Sequence, residues 1–333
     1  PFVYATAFES HPEYVPETVV SGATRCIGDW CPRNYSGDQI GRISLVSAFA
    51  RSINTVPVNL SIEMGRQPIA DMAHKMGIRN EFPVTRSLAL GAASVSVLDM
   101  TSSYAVFANR GRKSTAYGIT RITTNTGELI HDHDADAAPE QILSDQTVVN
   151  MNQLLRAVVT SGTGRRATIE GVPTLGKTGT TSSYRDAWFC GFTGNYVASV
   201  WFGNDDYRVT KDLTGGLLPT VAWQRFMAYA HTNIEVKPVY GIDFEPPTMV
   251  IAEAATEPDA PADFSVYDAA GVKIFGSGPA TLDGADPDQL VVVSPITDRD
   301  TEVVVGTVRV SRPRSQIDGE ARRAWALMAL AAL

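Results

Sequence analysis

Two short runs in this chain combine residue types that suit acyl-transfer chemistry. Lys177-Thr178-Gly179-Thr180 offers a fixed positive charge, two hydroxyl donors and a glycine against which an extended substrate backbone can lie. That set suits a site receiving a peptide carboxylate and the oxyanion of a tetrahedral intermediate. Ser52-Ile53-Asn54 adds a hydroxyl able to relay a proton and a carboxamide carrying both donors and an acceptor, which suits holding a substrate amide in one orientation. Each run alone is compatible with an exposed polar strand or loop. His131-Asp132-His133-Asp134 has alternating metal-ligand types, but its place in a polar stretch reads as a solvated loop. His11, His74 and His231 lie far apart without a companion nucleophile, which argues against a Ser-His-Asp hydrolase.

The elements that must position these residues are readable from periodicity. Apolar residues recur at three and four spacing between Gly41 and Gly77, predicting helix behind a Ser44 cap, and Ser52-Ile53-Asn54 falls at a break between two such segments. Further helices are predicted over 97–109 behind Ser96, over 145–159 behind Ser144 and over 219–231 behind Pro219, with Trp223, Phe226 and Met227 as packing residues. A hairpin is expected over 117–132, turning at Asn125-Thr126-Gly127. Three consecutive strands are expected over 174–180, 186–192 and 196–203. The second and third are apolar at nearly every position, so both sheet faces require cover, most simply by helices. Lys177 to Thr180 ends the first strand.

Composition bounds the rest. The chain has 333 residues, 44% hydrophobic and 19% charged, with a net charge of -8. This describes a globular chain, and without a basic stripe nucleic acid is not an expected partner. No apolar run reaches the length of a membrane helix. Cys26 and Cys31 lie five apart in a loop where a short disulfide can form, and Cys190 reads as a buried small hydrophobe. The Pro-, Ala- and Glu-rich stretch after Val236 reads as a linker, 237–262, between a first domain, 1–236, and a small β-rich module, 263–333. Strands are expected there at 264–267, 272–275, 290–293 and 302–310, with a terminal helix over 317–333.

Several of these segments together resemble a known family. Lys177-Thr178-Gly179-Thr180-Thr181, Tyr184-Arg185-Asp186-Ala187-Trp188-Phe189 and Trp201-Phe202-Gly203-Asn204-Asp205 are similar to the transpeptidase domain of class A penicillin-binding proteins. So, in order and spacing, are Trp30-x-Pro32-x-Asn34-Tyr35-x-Gly37, Ala50 to Val56, Leu88 to Gly91, Ser103 to Asn109 and Thr214-Gly215-Gly216-x-x-Pro219. The resemblance covers about residues 1 to 232. It implies an α+β fold shared with serine β-lactamases, a helical lobe beside an antiparallel sheet covered by helices, with the small C-terminal β module following.

The resemblance also implies a cleft where Ser-x-x-Lys, Ser-x-Asn and Lys-Thr-Gly meet. Only the last two are present, because none of the six lysines has a serine three residues before it. Similar proteins carry the missing lysine directly before a Pro-Phe-x-Tyr run like Pro1-Phe2-Val3-Tyr4, so the nucleophilic serine and its lysine are expected just before Pro1. The implied reaction is D,D-transpeptidation of peptidoglycan stem peptides through an acyl-serine, with β-lactams as donor mimics and no cofactor or metal. Ser52 would shuttle a proton, Asn54 would hold the substrate amide, Lys177 would set the local potential, Thr178 and Thr180 would bind the carboxylate beside Gly179, and the Thr180 N–H would donate to the oxyanion. By the same resemblance the whole protein carries a glycosyltransferase domain and membrane anchor and works on the periplasmic side of the inner membrane. A serine β-lactamase and a nucleophile-free binding module are the alternatives.

Overall fold

The computed structural model describes residues 1–133 and 139–243 and four strands beyond them, at 263–268, 273–276, 289–297 and 304–313. The chain divides into two units, Pro1–Met249 and Val250–Leu333.

In the first unit, α1 (Phe2–Ser10) leads to β1 (Val19–Ser21), which pairs antiparallel with β2 (Arg42–Ser44). Three helices follow: α2 (Leu45–Ala50), α3 (Thr55–Met64) and α4 (Gln67–Lys75). The helix expected from Gly41 therefore begins four residues later. Arg42 to Ser44 are held extended by pairing with β1, and Ser44 then caps α2 by accepting from the Ser47 N–H. The break at Ser52 is present between α2 and α3. Helix α5 (Val97–Ala108) is capped by Ser96, which accepts from the Asp99 N–H. After the hairpin β3 (Arg121–Thr123) and β4 (Leu129–Asp132), α6 (Asp145–Thr160) is capped by Ser144.

The central sheet is β5 (Leu175–Thr180), β6 (Asp186–Phe192) and β7 (Val197–Gly203), antiparallel in that order. Alternate residues of β6 serve two different cores. Cys190 and Phe192 join the large core with Tyr4, Phe49, Phe107 and Leu154, whereas Phe189 packs with Trp223 and Met227 of α7 (Leu218–Ala230). This is a sheet buried on both faces by helices, as the apolar run demands. Phe226, expected in the packing, is 60% exposed, because it lies on the face of α7 turned from the sheet. Packing of the first unit continues into the stretch read as linker. Val239 is buried in the large core and the Tyr240 carbonyl accepts from Asn152 Nδ2.

Cys26 and Cys31 form a disulfide, and Cys190 is free and buried. A closed loop this short restrains the unfolded chain by about 2 kcal/mol. Thermal unfolding of C26S/C31S, or of reduced protein, is expected to show Tm lower by roughly 5 °C. A Tm unchanged by reduction would show that the bridge braces only an already ordered loop.

The second unit contains a four-stranded antiparallel sheet of β8 (Asp263–Asp268), β9 (Lys273–Gly276), β10 (Gln289–Thr297) and β11 (Val304–Pro313), in the order β10-β11-β8-β9. The four expected strands match these. The turn at 269–271, the helix at 317–333 and most of the linker lie outside the described residues. No described helix is long and apolar enough to cross a membrane.

Candidate active site

The two sequence runs meet at one point. Lys177 lies on the face of β5 shared with Cys190, its register partner on β6, so its side chain is directed toward α2 rather than α7. There the Nζ donates to Ser52 Oγ at 2.9 Å and to the Thr178 carbonyl at 2.9 Å, and it sits 5.8 Å from the Phe49 ring centroid. With Lys177 donating, the Ser52 oxygen is occupied as an acceptor and its own proton stays available for transfer. Burial lowers the Lys177 ammonium from its ordinary 10.5 to about 8. It is still protonated at neutral pH, and far easier to deprotonate than a surface lysine.

Ser52 adopts a left-handed backbone, φ 55°, uncommon for a residue with a side chain. It is held there by neighbours on both sides. The Ser52 N–H bonds to the Phe49 carbonyl at 3.1 Å and the Ile53 N–H to the Ala48 carbonyl at 2.9 Å, closing α2 beneath it. Asn54 lies at the start of α3, and its Nδ2 donates to the Arg33 carbonyl at 2.7 Å. A hollow of about 220 Å³ opens beside Ser52, lined also by Tyr35, Asp38 and Arg51.

The threonines take the opposite face of β5. Thr178 is buried, and its Oγ1 lies 2.6 Å from Thr163 Oγ1, in the loop after α6. The Thr163 N–H in turn bonds to the Ala50 carbonyl at 3.1 Å, tying the Ser52 loop to the same point. Thr180 is exposed at the strand end, where its Oγ1 accepts from the Gly215 N–H at 3.0 Å. Gly179 lies between them, and the atom nearest an added Cβ there is Trp188 Cβ, at 3.2 Å. Above this end, the hydroxyls of Tyr35 and Tyr184 approach to 3.2 Å, joining the loop before β2 to the connection after β5.

Thr163, Asn34 and Gly215 take part in this arrangement but were not read as site residues. Asn34 and Gly215 do lie in the segments that carry the family resemblance, whereas Gly162-Thr163-Gly164 reads simply as a helix end. The His131–Asp134 run is not drawn in. Asp132 pairs with Arg121 at 2.7 Å, His133 stacks on Tyr117, and Asp134 lies outside the described residues. Among the described residues no cluster of His, Cys, Asp and Glu could hold a metal.

A family model described as the penicillin binding protein transpeptidase domain matches residues 14–206, more than half of the chain. The chain belongs to the penicillin-binding protein transpeptidase family. Penicillin-binding protein 1A of Aquifex aeolicus is 34% identical over 236 residues, which are 69% of this chain and 32% of that protein. Among solved structures, penicillin-binding protein 1A from Haemophilus influenzae is similar with a TM-score of 0.64 at 24% identity, over 74% of this chain and 43% of that one. The PonA1 protein of Mycobacterium tuberculosis, solved in complex with penicillin V, gives a TM-score of 0.64 at 22% identity, over 74% and 73% of the two chains. The fold is thus that of the penicillin-binding transpeptidases. The chain spans about a third of the length of the curated relatives it matches.

Proposed function

We propose that Ser52, Asn54, Lys177, Thr178, Gly179 and Thr180 form the donor-binding part of a serine D,D-transpeptidase site for peptidoglycan stem peptides, one that β-lactams also enter. The observation that carries this reading is the 2.9 Å bond from Lys177 Nζ to Ser52 Oγ, which joins Ser-x-Asn to Lys-Thr-Gly across 125 residues of sequence. In the reaction, a serine oxygen attacks the carbonyl carbon of the D-Ala-D-Ala bond, and the carbon–nitrogen bond breaks as a proton reaches the departing amine. In this reading Ser52 relays that proton from the attacking serine hydroxyl to the amine, with Lys177 stabilising the negative charge that appears on it in transit. An amine from a second stem peptide then attacks the ester and releases the serine. Water in its place gives trimming of the stem.

Lys-Thr-Gly-Thr forms the last four residues of β5, exposed at Thr180, where an extended donor peptide can lie beside the strand and place its carboxylate. Thr178 is engaged by Thr163, so its contribution to the carboxylate runs through that shared hydroxyl pair. These 333 residues contain no Ser-x-x-Lys, so the reading covers the donor-binding part of the site and not its nucleophile. The Cys26–Cys31 disulfide agrees with an oxidising compartment, which supports work on the periplasmic side of the membrane, where a glycosyltransferase domain and membrane anchor would belong to the whole protein.

Labelling with a fluorescent penicillin tests this reading. The chain alone is expected to show no covalent adduct by mass spectrometry. With Ser-x-x-Lys placed in frame directly before Pro1, one adduct per chain is expected, lost when that serine is alanine and slowed about 100-fold or more by Lys177→Ala. A folded extended chain that stays unlabelled would overturn the assignment and favour a binding module without catalysis.

A further inference from the structure

Helix α3 begins at the motif asparagine, yet Asn54 does not cap it. Its backbone is helical, φ -74° and ψ -32°, and its side chain makes no cap hydrogen bond, although asparagine is among the best capping residues. The side chain is directed elsewhere, with Nδ2 donating to the Arg33 carbonyl at 2.7 Å. The unpaired N–H groups that a helix start leaves behind must find another acceptor.

That acceptor is Asn34, twenty residues earlier. Its Oδ1 accepts from the Asn54 N–H at 3.0 Å and from the Thr55 N–H at 3.3 Å, while its Nδ2 donates to the Asp38 carbonyl at 3.0 Å. Asn34 is only 8% exposed although its neighbours Arg33 and Tyr35 are exposed, as expected of a side chain whose hydrogen bonds are all made inward. The loop carrying it is itself braced. The Cys26–Cys31 disulfide, a pair of backbone bonds between Ile27 and Trp30, and the Arg86–Asp29 ion pair precede it.

We propose that Asn34 is a positioning residue for the Ser52-Ile53-Asn54 motif, capping α3 from outside so that the Asn54 carboxamide is released from capping and Ser52 is held in its left-handed turn. The inference rests on the transpeptidase reading for its meaning, but its geometry does not. Ser52 lies between two anchored points. Its own N–H and that of Ile53 are fixed to α2, and the next two N–H groups are fixed to Asn34. Releasing the second anchor leaves the φ 55° conformation without support from the α3 side, and the turn relaxes toward the common helical or extended regions. The Ser52 oxygen then leaves Lys177, and water reaches the ammonium. One carboxamide thereby sets the direction of two side chains it does not touch.

The test uses the chain as it stands. In N34A, amide hydrogen exchange by NMR is expected to quicken at least about 10-fold at Asn54 and Thr55 relative to the α6 amides, because the acceptor is gone. Titration of the ¹³C-labelled lysines should move Lys177 upward from about 8 toward 10.5 as it hydrates. N34D retains an acceptor oxygen, and protection at Asn54 and Thr55 is expected to return. Its added charge also shifts Lys177, so that variant is read by exchange alone. A folded N34A with protection and Lys177 titration both unchanged would overturn the proposal. Should N34A fail to fold, N34D decides, since loss of protection there would remove the acceptor role. None of these readouts needs an acyl adduct. Failure of penicillin labelling with this pattern intact would therefore count against the transpeptidase reading and leave the positioning role standing.

Discussion

Replacing Lys177 by methionine is expected to stabilise the first unit by about 2 kcal/mol at pH 7, raising Tm by roughly 5 °C, while abolishing the hydrogen bond to Ser52. The reason is the direction of the lysine's shift. Burial holds the folded-state ammonium at about 8 against 10.5 when exposed. Below pH 8 the lysine is charged in both states, and the folded state bears the full cost of a desolvated cation. Between 8 and 10.5 the folded protein releases its proton first, so wild-type stability rises through that window. Above 10.5 both states are neutral and the cost is gone. The advantage of Lys177→Met should thus be full below pH 8 and vanish by about 10.5. The shift taken at face value corresponds to about 3 kcal/mol, reduced here because Lys177 is only partly buried and water screens it. Denaturant melts of both proteins at pH 7, 9 and 10.5 measure the gap, and a variant less stable at pH 7 would show that the bonds to Ser52 and Thr178 outweigh desolvation. A stabilising loss of a functional group is the pattern expected where binding chemistry is maintained against folding.

What was legible in the sequence follows from which interactions are local. Helices α5 and α6 start where Ser96 and Ser144 predict, because each serine caps an N–H only three residues away. Strands β5 to β7 match because hairpin pairing and a doubly buried sheet leave short apolar runs between turn residues. The break at Ser52 shows as an interruption in helical spacing. In contrast, β1 and β2 are three residues each and exist only through pairing across 20 residues of loop, so Arg42 to Ser44 read as part of the following helix. Phe226 satisfies the periodicity of α7 as well as Trp223 does, yet only one side of that helix meets the sheet.

The site divides in the same way. Ser52, Asn54 and Lys177 to Thr180 are recognisable by residue type, but their supports are not. Asn34 reaches Asn54 from 20 residues earlier, and Thr163 meets Thr178 across 15, contacts that no local spacing encodes. The assignment of Thr178 to the substrate carboxylate follows from the family resemblance alone. Its 2.6 Å contact with Thr163 means that any ligand oxygen must share a hydroxyl pair already bonded internally.

Gly215→Ala is expected to cost about 3 kcal/mol or more and lower Tm by roughly 10 °C, an effect of a loop residue on the backbone of the central sheet. A Cβ at this position would overlap the carbonyl oxygens of Gly179 and Trp188 and lie 2.8 Å from the Gly179 nitrogen. All three are main-chain atoms of paired strands, so no side-chain rotation relieves the clash. If the loop lifts instead, two ties are lost. The Gly215 N–H bonds to Thr180 Oγ1 at 3.0 Å, and the Gly215 carbonyl accepts from Thr220 Oγ1 at 2.6 Å in the first turn of α7. One substitution therefore either displaces Gly179 or frees Thr180, and both lie in the strand end assigned to the donor peptide. Gly118→Ala is the control, since nothing lies within 4 Å of its added Cβ. Thermal melts of the two variants check the stability claim. Penicillin labelling of the chain extended with Ser-x-x-Lys, at a temperature where Gly215→Ala is fully folded, separates the site from the fold. Labelling at the wild-type rate would show that the loop supports the sheet without shaping the donor site, whereas slowed labelling would place Gly215 among the residues that hold Gly179 and Thr180 in register for acylation.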